Sequence, residues 1–196
     1  MGNTHTARRV TPLLRAAPVV LSLAIIALLV ARVSSAAFSD TTDNTSNSFA
    51  AGDVIISDND SGSAMFASTN MAPGDGDTEC IVVTYEGSLD ADVKLYGAVT
   101  GGDGLGTYLD VVIERGSGGT FGDCTGFSSS ETVYSGTLAG FAGTHTDFGS
   151  GAGTWAPTGG APDDDMTYRV QVTLQDDNGA QGLSATASFT WEAQNT

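Results

Sequence analysis

Beyond its first 37 residues the chain is cut by glycine or another turn residue every ten or so positions, and between the cuts apolar and polar side chains alternate. A period of two puts one apolar row on one face of a β-strand and scatters the same residues around a helix, so this pattern restricts the chain to an all-β fold. Tyr168, Val170, Val172 and Leu174 share one parity, with Arg169, Gln171, Thr173 and Gln175 on the other. Asp176-Asp177-Asn178-Gly179 supplies a turn, after which Ala185, Ala187, Phe189 and Trp191 alternate with Thr186, Ser188, Thr190 and Glu192. The two runs predict an antiparallel hairpin with one wet face. Leu109, Val111 and Ile113 form a further half-buried strand, as do Val93 and Leu95, while Cys80 to Tyr85 is apolar on both parities and predicts a central strand. No window outside the first 37 residues holds a helical period. Residues 101–106, 116–119 and 149–153 and the acidic turn Asp163-Asp164-Asp165 read as loops. The expected architecture is an antiparallel β-sandwich, of which the jelly roll is a common form. No internal repeat is visible, which disfavours a solenoid or propeller.

The first segment fixes the compartment. Arg8, Arg9 and Arg15 precede an apolar run from Ala16 to Ala31 that ends at Ser34-Ser35-Ala36-Ala37, the layout of a secretory signal peptide with cleavage at Ala36 and Ala37. A permanent membrane helix needs about 20 apolar residues. This run is shorter, with Pro18 near its start and Arg32 at its end. The expected organisation is therefore a signal-peptide helix at 1–37 and one domain at 38–196, secreted or held at the cell surface. The precursor is inserted in the membrane only through its uncut leader. An uncleaved anchor is the alternative, and export of the folded protein through the Arg8-Arg9 pair is a second.

Removing the leader leaves Lys94, Arg115 and Arg169 as the basic residues against 23 acids, a net charge of −20. Such a surface repels phosphate backbones and anionic headgroups, which excludes nucleic acid and basic-patch membrane contacts as partners. Cys80 and Cys124 both lie in the exported part, where oxidation is permitted, and are expected to pair. Two buried free thiols are the alternative.

No catalytic machinery is recognisable. The exported part has one histidine, His145, in a Gly/Thr-rich stretch, with no H-E-x-x-H and no helix to carry one. No serine sits in a G-x-S-x-G elbow, and with 23 acids any carboxylate pair is uninformative. The expectation is a non-enzyme without a cofactor. Calcium has two weak candidate sites, the Asp58-Asn59-Asp60-Ser61-Gly62 turn, through Asp58 and Asp60, and the Asp163 to Asp165 cluster, through Asp163 and Asp165. The first fails the full loop pattern, because Gly62 comes one position early and Thr69 stands where a bidentate Glu belongs. A solvated acidic turn is the simpler reading of both.

Three patches resemble the TasA/camelysin family of exported surface proteins. Ala36-Ala37-Phe38-Ser39-Asp40 followed by Phe49-Ala50-Ala51-Gly52-Asp53-Val54 is similar to the family's processing junction. Asn70-Met71-Ala72-Pro73-Gly74-Asp75 with Glu86-Gly87-Ser88-Leu89 is similar to its N-L-x-P-G-D and N-x-G-S-L pattern, Glu86 replacing the usual amide. Phe189-Thr190-Trp191-Glu192-Ala193-Gln194 is similar to its terminal strand. Residues 101–165 match nothing in it. The resemblance implies a jelly-roll domain, processing by a dedicated signal peptidase, and self-assembly into extracellular fibres of a biofilm matrix or surface layer. In that assembly the freed N-terminal segment of one subunit adds a strand to the next, with other matrix proteins or glycans as further partners. Residues 38–56 suit such an arm, with Phe38, Phe49, Val54, Ile55 and Ile56 as its apolar contacts. The other reading of Ser48 to Ile56 is an ordinary edge strand of its own domain. A second functional class is a β-sandwich adhesin that stacks sugars on loop aromatics such as Trp155 or Phe148. A third is the peptidase activity attributed to some camelysins, for which this chain supplies no ligand set.

Overall fold

The computed structural model describes residues 50–196. Eight strands follow one another as β1 (Ile56–Asp58), β2 (Gly76–Tyr85), β3 (Ala91–Gly102), β4 (Leu109–Ser117), β5 (Ser128–Thr137), β6 (Ala152–Trp155), β7 (Asp164–Leu174) and β8 (Ala185–Asn195), with one short helix, α1 (Leu138–Thr144), between β5 and β6. They form a five-stranded sheet in the order β1-β2-β7-β4-β5 and a three-stranded sheet in the order β6-β3-β8. Every pairing is antiparallel.

The alternating residues explain the layering. Ile81 and Val83 of β2, Val111 and Ile113 of β4 and Tyr168 and Val170 of β7 are buried on the inner face of the larger sheet, and Val93 and Leu95 of β3 on that of the smaller. They belong to one core. Across it the Tyr168 ring lies 5.3 Å from that of Trp191, and Phe141 of α1 lies 5.7 Å from Phe189. This is an all-β, sandwich-like fold, as the alternation requires.

The expected hairpin between the last two strands does not form. Both edges of β7 are already filled, by β2 from Gly76 to Tyr85 and by β4 from Leu109 to Gly116. With no backbone position left beside it, the chain after Leu174 crosses through a 3-10 turn at Asn178–Ala180, capped by Asp177 Oδ1 accepting from the Gly179 N–H, and β8 pairs with β3 in the other sheet. The face assignments survive this change because parity depends on the strand and not on its neighbour.

Several strands also run further than expected. β3 continues through Gly101 and Gly102, β4 through Gly116 and Ser117, β6 begins at Ala152, and β7 begins at Asp164, inside the acidic turn. Cross-strand pairing overrides the weak strand preference of these residues. At Gly116 the neighbouring strand comes so close that a Cβ would lie 2.0 Å from the Ser128 carbonyl oxygen, so only glycine fits. Helix α1 was not expected. Its seven residues are too few to print a period, and it forms because Leu138 and Phe141 bury one face while Thr137 Oγ1 accepts from the Gly140 N–H.

On the outer face of the larger sheet, Cys80 of β2 is joined to Cys124 by a disulfide. This pins the 118–127 loop over the sheet, where Phe127 covers the Arg169 guanidinium at 4.7 Å and Arg169 pairs with Glu114. The Arg169 hydrogen bond holds the Glu114 carboxyl below the usual range, against the opposing effect of its burial. On the inner face Arg115 stands opposite Tyr168 and pairs with Glu131. Burial pushes the Tyr168 phenol up to about 12. Replacing Cys80 and Cys124 together by alanine should lower stability by about 4 kcal/mol, from the chain-entropy estimate for a loop of this length. Urea unfolding of the purified pair of variants checks it, and an unchanged midpoint would show that the bridge adds nothing.

Candidate functional site

An unpaired strand edge is the most reactive surface a β-protein can present, because its N–H and C=O groups template another strand. Among the described residues four strands lie at the sheet edges. β1 has three residues and β6 has four. β5 is polar over most of its length and its pairing with β4 is broken by two register shifts. β8 differs from all three, with 11 residues, Glu192 as its one charged side chain, and β3 as its one partner among the described residues.

The outer edge of β8 runs along an apolar groove of about 610 Å³. Ala187, Phe189 and Trp191 of β8 form one wall. Ile81 and Val172 of the opposite sheet form the floor, and Met65, Phe66 and Met71 close the far side. Among the described residues the smaller sheet has three strands against five in the larger, and the groove lies on its β8 side.

The segment that leads into the domain is stapled to it. Asp53 accepts from the Ser88 hydroxyl at 2.5 Å and from its N–H at 3.0 Å, and the Asp53 N–H donates to Ser88 Oγ. Ile55 is exposed, with its carbonyl accepting from the Glu86 N–H, while Val54 packs on the core and Ile56 pairs with Tyr85. Val54, Ile55 and Ile56 are thus in contact with their own domain. Phe38, Phe49, Ala36 and Ala37 lie outside the described residues, as does the whole of 1–37.

The remaining candidates are dispersed. Asp58 Oδ1 accepts from the Asp60 N–H, and Asp60 Oδ1 accepts from the Gly62 N–H. Burial raises the Asp58 carboxyl, against the hydrogen bond from the Asp60 N–H, and the Asp60 side chain adds to the rise. Asp165 accepts from the Thr84 hydroxyl at 2.6 Å, and Asp163 is exposed on the preceding turn. Among the described residues no group of three or more His, Cys, Asp or Glu converges as a metal site. His145 caps α1, with Nδ1 2.6 Å from the Ser150 carbonyl and its ring against Phe141. Trp155 is buried in β6 beside Val93, which removes it as a sugar platform, and Phe148 lies under the Lys94 ammonium.

Sequence reading missed the groove itself. Its far wall comes from Met65, Phe66 and Met71 in a stretch without alternation, and its place beside β8 follows from strand order, which periodicity does not encode. The chain matches no protein-family model and no curated protein.

The Ser88 hydroxyl and N–H hold the Asp53 carboxyl below its ordinary 3.8. A depressed pKa means that the staple contributes fully above the ordinary carboxylate range and is lost as pH falls through the folded value. Carboxyl NMR titration should place Asp53 below 3.8, and Ser88→Ala should return it toward that value; a wild-type midpoint at or above 3.8 would contradict the staple.

Proposed function

We propose that the processed protein is a structural subunit of an extracellular fibre, in a biofilm matrix or surface layer, in which residues 38–49 of one copy add a strand to β8 of the next. The observation that carries this reading is the long outer edge of β8, which has β3 as its one partner among the described residues, beside an apolar groove. β-Augmentation needs both parts, an edge for main-chain hydrogen bonds and pockets for alternate side chains.

Strand order supports a jelly-roll reading. An eight-stranded jelly roll has one sheet ordered 2-7-4-5 and a facing sheet ordered 1-8-3-6. The larger sheet here contains β2-β7-β4-β5, and the smaller one reads β8-β3-β6. The position not filled among the described residues is therefore the one outside β8, which in that order belongs to a strand that precedes β2 in sequence. The 12 residues 38–49 lie there. Extended at about 3.4 Å per residue they span roughly 40 Å, enough to line the 11 residues of β8. A strand lent by one copy to the next is head-to-tail and does not close, so it propagates as a filament.

Export and cleavage fit the same scheme. An arm joined through Ala37 to a membrane-held leader cannot reach a neighbour, so processing by a signal peptidase at Ala36 and Ala37 releases it. The resemblance of the junction, of the Asn70 to Asp75 stretch and of the last strand to the TasA/camelysin family agrees with a role as matrix fibre. The proposed partners are further copies of the chain, the peptidase, and other matrix proteins or glycans. No catalytic step and no bound calcium enters the scheme.

Ala187 lines the groove from β8 and is exposed, so Ala187→Lys should abolish fibres by placing a charge in the apolar slot. The thermal midpoint should change by less than about 2 °C, as expected for a surface substitution. Negative-stain imaging of the processed protein checks it; fibres of normal length from Ala187→Lys would contradict the assignment. Independently, replacing Ala36 and Ala37 by bulky residues should leave the precursor uncut and unpolymerised.

A further inference from the structure

The far wall of the groove is not part of either sheet. It is the link between β1 and β2, whose ends are fixed and whose middle is not. At its start Asn59 is clamped from three sides, its N–H donating to the Val82 carbonyl, its Oδ1 accepting from the Val82 N–H and its Nδ2 donating to Thr120 Oγ1. The chain then turns sharply through Ser61 and Gly62, both at positive φ. At its end Asn70 and Gly74 are again at positive φ, and the Ala72 N–H donates to Asp75 Oδ2. Between these anchors, from Ala64 to Met71, no backbone group bonds to another backbone group among the described residues. The one side-chain tether to a strand among the described residues is Ser68 Oγ donating to Asp77 Oδ2 at 2.8 Å.

The apolar side chains of this link turn inward. Met65, Phe66 and Met71 are half-buried against the core and line the groove beside Phe189 and Trp191. They lie where alternate side chains of an added strand would seek contact. Methionine suits such a place, because an unbranched thioether can repack against different neighbours.

From this arrangement we infer that residues 64–71 are a self-plug, which covers the acceptor groove in the free subunit and swings out on its two anchored ends when the strand of a second copy docks. The inference rests on the strand-addition reading above and adds the regulation of that site. A segment held by side-chain packing and one tether opens at lower free energy than the paired strands around it. Its displacement exchanges one set of apolar contacts in the groove for another, so the plug slows assembly more than it weakens the finished fibre. It also keeps the β8 edge from adhering to unrelated strands before a sister subunit arrives.

The test fixes the plug in place. In the processed protein, Ser68→Cys and Asp77→Cys are joined by a short bismaleimide, while the native disulfide consumes the other two cysteines. The same double variant capped with a monofunctional maleimide serves as control, and assembly is followed by sedimentation and by the fluorescence of the groove tryptophan. The linked protein should assemble at least tenfold more slowly than the control, and Ser68→Ala, which cuts the tether, should assemble several-fold faster than wild type. Equal rates for linked and capped protein would overturn the plug while leaving strand addition intact. If wild-type processed protein forms no polymer, strand addition itself falls and the plug falls with it.

Discussion

The ladder that β7 makes with β2 on one side and β4 on the other is the constraint from which the rest of this architecture follows. It occupies 10 residues of β2 and eight of β4, and it aligns Ile81 with Tyr168 and Ile113 with Val170 so that their side chains form one continuous apolar floor. Because β7 has no free edge, β8 cannot pair beside it, and among the described residues β8 is an outer strand of the smaller sheet.

The β8 side of the sandwich also bears on stability. A fourth strand on the smaller sheet would cover Ile81 and Val172 permanently and strengthen the fold. Among the described residues they lie instead beside a link whose methionines and phenylalanine pack without a backbone ladder. The Asp53 staple and the disulfide lie away from this region, on the lead-in segment and on the outer face, and can hold the body rigid without closing the slot.

Much of this was legible from residue parity alone. Tyr168, Val170 and Leu174, Leu109, Val111 and Ile113, and Val93 and Leu95 all lie on the buried faces that their alternation assigns, because a strand whose apolar row faced water would lose its reason to pair. The Cys80–Cys124 bridge was legible from the count of two cysteines and the expectation of export. What parity does not carry is which strand neighbours which, so the hairpin between the last two strands was misread. It is equally silent where glycines are held by pairing, as at Gly101, Gly102 and Gly116, and where a helix is as short as α1. The groove needed strand order, and the Ser88 partner of Asp53 is 35 residues away in sequence.

The three cations of residues 38–196 are all turned toward the protein. Lys94 lies over Phe148, Arg115 is committed to Glu131 and Arg169 to Glu114 beneath Phe127. What faces the solvent is then almost pure carboxylate, and a row of such subunits would be a linear polyelectrolyte. Mobile counterions would gather along it, draw water by osmosis, and keep neighbouring threads apart until multivalent cations bridged them. A domain whose three cations are each engaged by a side chain of its own hands control of its bulk texture to the ionic composition of its surroundings.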